Sequence, residues 1–182
     1  MSAHKASPLR EPRRRVFVLT LSDRCAAGER EDLSGTAIVE LLTSGTGGAI
    51  VEIVERKILP DDREAIRRTL MEVADQQRAE VILTTGGTGL GPRDVTPEAT
   101  LAVIDRRIPG MEEAMRRAGM ATTPYAMLSR AVCGMRGQTL IINLPGSPKG
   151  VRECLEVLSP VLLHAVELAQ LPSVPDSRHQ WK

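Results

Sequence analysis

Aromatic side chains are nearly missing from this chain of 182 residues, which has one Phe, one Tyr and one Trp (Phe17, Tyr125 and Trp181). There is thus no material for the stacking platforms that hold single-stranded nucleic acid. Cysteine is scarce too. Cys25, Cys133 and Cys154 are an odd number at wide spacings, with no CxxC pair and only three histidines beside them. That argues against a disulfide framework or a zinc site and fits a reducing cytoplasm. No apolar run approaches the roughly 18 residues of a membrane span, and the first residues lack the apolar core of a signal peptide. Net charge is only +1, unevenly spread: residues 1–15 hold Lys5, Arg10, Arg13, Arg14 and Arg15 against Glu11, leaving the remainder at −3. A body of that sign does not attract a nucleic acid polyanion. The expectation is a soluble, cytoplasmic protein with no nucleic acid and no membrane partner.

What is present is alternation. A chain of this length forms one domain, burying roughly 70% of its unfolded surface. We expect a disordered basic leader over 1–14, a single domain over 15–170 and a tail over 171–182. Val16–Leu21 reads as a buried strand followed by a polar loop, Ser22–Gly28. Ser34 is placed to cap a helix carrying Ile38, Leu41 and Leu42, which Gly45, Gly47 and Gly48 end before a strand near Ile50–Ile58. Pro60-Asp61-Asp62 opens a helix with Ala65, Ile66, Leu70, Val73 and Ala74 in one stripe, leading to a strand over 81–85. Beyond it the pattern predicts a helix from Pro97 to about Asp105, a break at Pro109-Gly110, a helix to about Gly119 and a short helix around Tyr125–Arg130. Strands at Ala131–Met135 and Thr139–Asn143 precede a closing helix that Ser159-Pro160 should kink or restart. Strands alternating with helices mean an α/β fold with a mostly parallel sheet covered on both faces. The loops 22–32, 86–94 and 143–149 then gather on one edge, where such sheets bind ligands.

The central loop carries the most chemistry. Gly86, Gly87, Gly89 and Gly91 follow a buried strand and can bring bare backbone N–H groups to an anion. No Lys-Ser/Thr follows Gly91, so this is not a Walker A loop, and the spacing is not GxGxxG, which disfavours a nicotinamide oxidoreductase. Thr96 is placed to cap the next helix, with Pro97 at its first position. Asp94 is free to hold Mg²⁺, accept a loop N–H, or pair with Arg93 or another arginine. Asp61-x-x-Glu64 is a variant capping box, so either Asp61 or Asp62 can be the cap. Ser147 and Lys149, in Asn143-Leu144-Pro145-Gly146-Ser147-Pro148-Lys149, can face an anion or be an ordinary helix start and a solvated lysine. Ser129-Arg130 offers a similar hydroxyl and cation, or a plain surface pair. Cys25, His164 and the methionines are assigned to packing.

These segments together, Thr84 to Gly89, Arg93-Asp94-Val95-Thr96-Pro97-Glu98-Ala99-Thr100, Leu128-Ser129-Arg130 and Asn143 to Lys149, closely resemble the molybdopterin adenylyltransferases of molybdenum cofactor biosynthesis. The likeness runs from about Arg15 to about Gln170 and includes Leu21-Ser22-Asp23-Arg24, Asp32-x-Ser34-Gly35 and Pro60-Asp61-Asp62. It implies a three-layer α/β/α fold, commonly trimeric, that binds molybdopterin and MgATP and transfers AMP to the terminal phosphate of the pterin, releasing pyrophosphate. The family's catalytic carboxylates fall on Asp61 and Asp94, which would also hold Mg²⁺. Where the family often has Pro-Asp-Glu this chain has Asp62, which leaves the choice between the neighbours open. By the same likeness Ser22, Asp23, Arg24, Thr85, Gly86, Gly87, Thr88, Gly89, Ser129, Asn143, Pro145, Gly146, Ser147 and Lys149 bind the two substrates. Handover of product to other molybdenum cofactor enzymes is implied as well. The alternative is a non-catalytic molybdopterin-binding or scaffold module, since the same fold appears in gephyrin.

Overall fold

The computed structural model describes residues 13–44 and 51–171. The strands are β1 (Arg14–Leu21), β2 (Val51–Leu59), β3 (Val81–Thr85), β4 (Arg106–Arg107), β5 (Cys133–Arg136) and β6 (Thr139–Leu144). The helices are α1 (Asp23–Ala26), α2 (Leu33–Thr43), α3 (Arg63–Asp75), α4 (Thr96–Leu101), α5 (Pro109–Met120) and α6 (Pro148–Gln170), with a 3-10 turn at Pro124–Leu128. One six-stranded sheet runs in the order β2-β1-β3-β6-β5-β4. The pairs β2/β1, β1/β3 and β3/β6 are parallel, whereas β5 and β4 are antiparallel additions at the far edge.

The apolar runs read as they do because the central strands are covered twice. Val16 and Val18 face a core shared with Ile38 of α2, Met111 and Met115 of α5 and Leu155, Leu158 and Leu162 of α6. Phe17 and Leu19 face the opposite core, with Ile66, Leu70 and Val73 of α3 and Ala99 of α4. The period-2 pleat therefore produces the three layers. β2 is different: it lies on the sheet edge, its residues alternate in burial, and Glu52, Glu55, Arg56 and Lys57 keep that edge charged, which discourages pairing with another chain.

Register sets the site. Leu21 pairs with Leu59, Thr20 with Thr85, and Thr85 with Leu144, so β1, β2, β3 and β6 end almost flush. After β2 the chain crosses to the other side of β1 to form β3. The reversal of strand order at β1/β3 opens the crevice in which open α/β sheets take ligands.

Several boundaries differ from the sequence pattern. Ser22–Gly28 is not all loop, because Ser22 accepts from the Cys25 N–H and starts α1. Asp32 rather than Ser34 caps α2, accepting from Gly35 N at 2.8 Å. The helix expected to reach Asp105 stops at Leu101, since the Asp105 N–H donates to Met135 O and the chain turns into β4. Pro109 and Gly110 begin α5 instead of breaking a helix, as suits proline in a first turn. α6 runs through Pro160 without a restart, and the Ser159 hydroxyl donates to Leu155 O. Arg14 belongs to β1 and not to the leader. Residues 1–12 of the leader, Gly45, Gly47 and Gly48, the strand start at Ile50, Trp181 and the tail beyond Leu171 lie outside the described residues.

Asn143, expected to bind ligand, is instead a staple beneath the site. It is fully buried; its amide donates to Thr84 Oγ1 (3.0 Å) and Thr100 Oγ1 (2.9 Å), and its Oδ1 accepts from Val132 N (3.2 Å). With every polar atom of its side chain bonded inside the protein, it has nothing to offer a substrate. Asn143→Ala should destabilise the protein by about 2–4 kcal/mol, because buried donors and acceptors lose their partners; urea unfolding of the variant checks this.

Candidate active site

Pro60 and the flush end of β2 deliver two adjacent carboxylates to different tasks. Asp62 caps α3, accepting from Ala65 N at 2.7 Å. That leaves Asp61 free to face the crevice. Asp61 and Asp23 hold each other: Asp23 N donates to Asp61 Oδ2 (3.1 Å), and Asp61 N donates to Asp23 Oδ1 (3.0 Å). Arg93 closes the group with a two-pronged bond to Asp23, 3.0 Å from Nε and 2.8 Å from Nη2. That hydrogen-bonded guanidinium holds the Asp23 carboxyl below its usual value. Both Asp23 oxygens are thus engaged, so Asp23 acts as a brace for Asp61 rather than an open ligand. The other Asp61 oxygen, Oδ1, is buried with no hydrogen-bond partner among the described residues. Burial pushes the Asp61 carboxyl above its ordinary range; the Asp23 amide opposes this, and the negative charges of Asp23 and Asp94 add to it.

Asp94 sits at the other end of the glycine loop and shapes it. Its Oδ2 accepts from Gly91 N (2.8 Å) and its N–H donates to Gly91 O (3.0 Å). Oδ2 thus takes the loop N–H, Arg93 goes to Asp23, and Oδ1 is left without a hydrogen bond among the described residues. A Cβ at Gly89 or Gly91 would lie 2.8 or 2.9 Å from Asp94 Oδ2, and one at Gly87 would lie 3.0 Å from Asp61 Oδ1. The glycines therefore seat the loop directly against both carboxylates. Gly86 has φ +100°, and a Cβ there would collide with Leu21 O, so only glycine lets the β3 loop close on the end of β1. The Thr85 hydroxyl donates to Pro145 O (2.7 Å) and Gly86 N to Leu144 O (3.2 Å), which ties in the loop after β6. Thr96 does not cap α4. Val95 holds that position, and the Thr96 hydroxyl donates to the Gly86 carbonyl at 2.9 Å. Among the described residues, the N–H groups of Gly87, Thr88, Gly89 and Leu90 donate to no protein acceptor.

Two clefts meet at this loop. The smaller, about 200 Å³, is bounded by Ser22, Arg30, Asp61, Gly86, Gly87 and Gly146. The larger, about 410 Å³, is bounded by Thr88, Gly89, Arg116, Ser129, Ser147 and Lys149, with Met115 and Leu128 among its apolar walls. Most of the residues expected at the site are brought together here. Ser22 and Ser147 also cap helices, Ser147 accepting from Gly150 N at 3.1 Å. Asp23 and Asp94 border neither cleft directly, Asp94 lying against Gly89 and Gly91 instead, and Arg24 is exposed on α1 and outside both clefts. Arg130, left open between an anion-facing cation and a plain surface pair, is neither: its guanidinium is committed to the glycine loop and Glu98. Arg30 and Arg116 were not foreseen. Arg30 follows a glycine turn without a recognisable motif, and Arg116 shows only as one basic residue on the amphipathic α5. Arg116 lies 3.8 Å from Glu112, a buried carboxylate that Arg107 already grips at 2.8 Å. The buried thiols are inert packing: burial raises Cys133 and pushes Cys154 up to about 12.

A divalent cation fits this chemistry. Asp61 Oδ1 is an acceptor without a donor, and Asp94 Oδ1 takes no hydrogen bond among the described residues. No group of three or more His, Cys, Asp or Glu among the described residues is arranged to hold a metal. Mg²⁺, which prefers one or two carboxylates completed by substrate phosphates and water, suits such a site better than zinc does.

Known proteins match this chain in sequence and in fold. The model of the probable molybdopterin binding domain family matches residues 17–164. The chain is 43% identical over 153 residues to the molybdopterin adenylyltransferase of Helicobacter pylori strain 26695, covering 84% of this chain and 86% of that one. It is 44% identical over 159 residues to gephyrin of Dictyostelium discoideum, covering 84% of this chain but only 22% of that protein. The crystal structure of the molybdopterin biosynthesis enzyme MoaB from Thermus thermophilus superposes with a TM-score of 0.79 at 49% identity, covering 86% of this chain and 96% of that one. Sequence and fold agree, and the chain belongs to the molybdopterin-binding domain family of molybdenum cofactor biosynthesis.

Proposed function

We propose that this protein is a molybdopterin adenylyltransferase that moves AMP from ATP to the terminal phosphate of molybdopterin. A phosphate oxygen of the pterin attacks the α-phosphorus of ATP, the bond between the α-phosphorus and the bridging oxygen breaks, and pyrophosphate leaves. The observation that carries this reading is the partnerless Asp61 oxygen beside a glycine loop whose amides at 87–90 have no acceptor. Two polyanions must be brought together, so positioning and charge stabilisation are the main tasks of the protein. Amides of Gly87 to Leu90 receive phosphate oxygens, and Asp61 and Asp94 face the same phosphates. A bound Mg²⁺, held by Asp61 and Asp94, would supply the neutralisation that lets carboxylates and phosphates share one crevice. Arg30 in the smaller cleft and Arg116 and Lys149 in the larger one add positive charge around the two anions.

The protein acts in the cytoplasm, where its cysteines stay free thiols; among the described residues no helix is long and apolar enough to cross a membrane. It assembles as a trimer. Supporting this, Val157, Val161 and Leu168 of α6 line an apolar groove of about 700 Å³ with α5 and β4, away from the site. Its product passes to other molybdenum cofactor enzymes. Residues 14–170, from the start of β1 to the end of α6, form the working domain, flanked by a basic leader and a tail. The second reading, a molybdopterin-binding or scaffold module, draws on the match to gephyrin.

An enzyme releases pyrophosphate from ATP only when molybdopterin is present, whereas a scaffold holds the pterin and releases none. Asp94→Asn should keep substrate binding and lower kcat by roughly a hundredfold or more, a neutral amide being a poor Mg²⁺ ligand; pyrophosphate release measures this. Asp61→Asn should gain stability while losing activity. A carboxyl raised in the folded state destabilises once it ionises, so the native protein loses stability as pH rises through the Asp61 range above 3.8. The variant's advantage in thermal unfolding should therefore be present at pH 7 and vanish in acid. Sedimentation equilibrium should give three times the chain mass, and Val161→Glu should release monomers.

A further inference from the structure

Arg130 spends its donors on the glycine loop rather than on a ligand. Its backbone N–H donates to Thr88 O (3.0 Å), its Nε to Gly89 O (2.7 Å) and its Nη2 to Asp94 O (2.5 Å), while Nη1 meets Glu98 in the first turn of α4. The ion pair with Glu98 is too exposed to be the purpose of this arrangement, with side chains 34% and 39% accessible. The three carbonyls are the informative partners. In a trans peptide the C=O and the following N–H point in opposite directions. Holding the carbonyls of Thr88 and Gly89 toward Arg130 therefore turns the N–H groups of Gly89 and Leu90 away from it. Those are two of the four loop amides without a protein acceptor. The grip on Asp94 O fixes the far end of the same loop, where the Asp94 carboxylate also sits. The backbone N–H holds Thr88 O, and the guanidinium holds Gly89 O and Asp94 O together because its donors form a rigid planar fork, whereas a lysine ammonium concentrates its donors at one point.

We propose that Arg130 is a positioning residue for the glycine loop: by holding three carbonyls on one side it keeps the loop amides on the other, and so sets the loop's affinity for a polyphosphate that Arg130 itself does not touch. This rests on the reading of the loop as the polyphosphate seat. Full-length wild type, Arg130→Lys, Glu98→Gln and Gly89→Ala are titrated with MgATP and with inorganic pyrophosphate by calorimetry, alongside thermal unfolding. Arg130→Lys should weaken both ligands about tenfold or more while remaining folded. Glu98→Gln removes the ion pair but leaves the carbonyl contacts, and should stay within about twofold of wild type. A folded Arg130→Lys with unchanged affinity overturns the inference, as does a loss in Glu98→Gln equal to that in Arg130→Lys. If Gly89→Ala binds as wild type does, the phosphate reading of the loop fails, whatever Arg130 does. Should Arg130→Lys not fold, NMR of the wild type decides. The Arg130 Nε–H signal should be protected from solvent exchange both free and with saturating MgATP, and its loss of protection on MgATP binding would show the guanidinium leaving the loop, contrary to the proposal.

Discussion

Everything at this site depends on how tightly the ends of β1, β3 and β6 can approach. The strands finish flush, and their loops must share a narrow edge without side chains in the way. Gly86 makes that possible, because its α-hydrogens occupy a place where a methyl group would collide with the Leu21 carbonyl. From that contact follow the bonds of Thr85 to Pro145 and Gly86 to Leu144, the seating of Gly87 against Asp61, and the meeting of two clefts across one short loop. Sheet register determines where the loops emerge, and glycine determines how closely they pack. Together they build a polar crevice on a sheet that is otherwise dry on both faces.

Charge in that crevice is arranged in layers. Asp61 and Asp94 lie against the loop, Asp23 braces Asp61, and Arg93 braces Asp23. On the other flank Arg130 organises the carbonyls of the loop. The two arginines nearest the motif thus serve the carboxylates and the backbone, while Arg30 and Arg116, from α1's following turn and from α5, stand in the cleft walls. An unsatisfied buried oxygen is costly in a folded protein, and among the described residues Asp61 Oδ1 and Glu98 Oε2 are in that position, Asp61 Oδ1 against the glycine loop.

The framework of the fold was legible because buried parallel strands announce themselves. Val16–Leu21, Val81–Thr85 and Thr139–Asn143 have unbroken apolar or β-branched runs, and the structure places strands on all of them. The convergence of the three loops followed from their parallel direction. Less legible were features decided by tertiary hydrogen bonds. Thr96 looks like a cap in sequence, yet a buried Gly86 carbonyl claims its hydroxyl; Asn143 sits in a motif that invites a ligand, yet three buried partners claim its amide. The short β4 has no pattern of its own and exists because the β5–β6 hairpin offers it an edge. Arg93 and Asp94 are neighbours in sequence, but Asp23 at the start of α1, seventy positions earlier in the chain, takes the arginine.

The division of labour between Asp61 and Asp62 has an evolutionary corollary. One acid starts a helix and the next one inward faces the crevice, separated by a single peptide unit. Any short polar residue able to accept an N–H can replace the helix-starting member, so drift there is cheap. The inward member has no comparable substitutes. Insertions or deletions between Leu59 and Arg63 would rotate the pair by one place and exchange their surroundings, so this turn should tolerate changes of identity at one site while resisting every change of length.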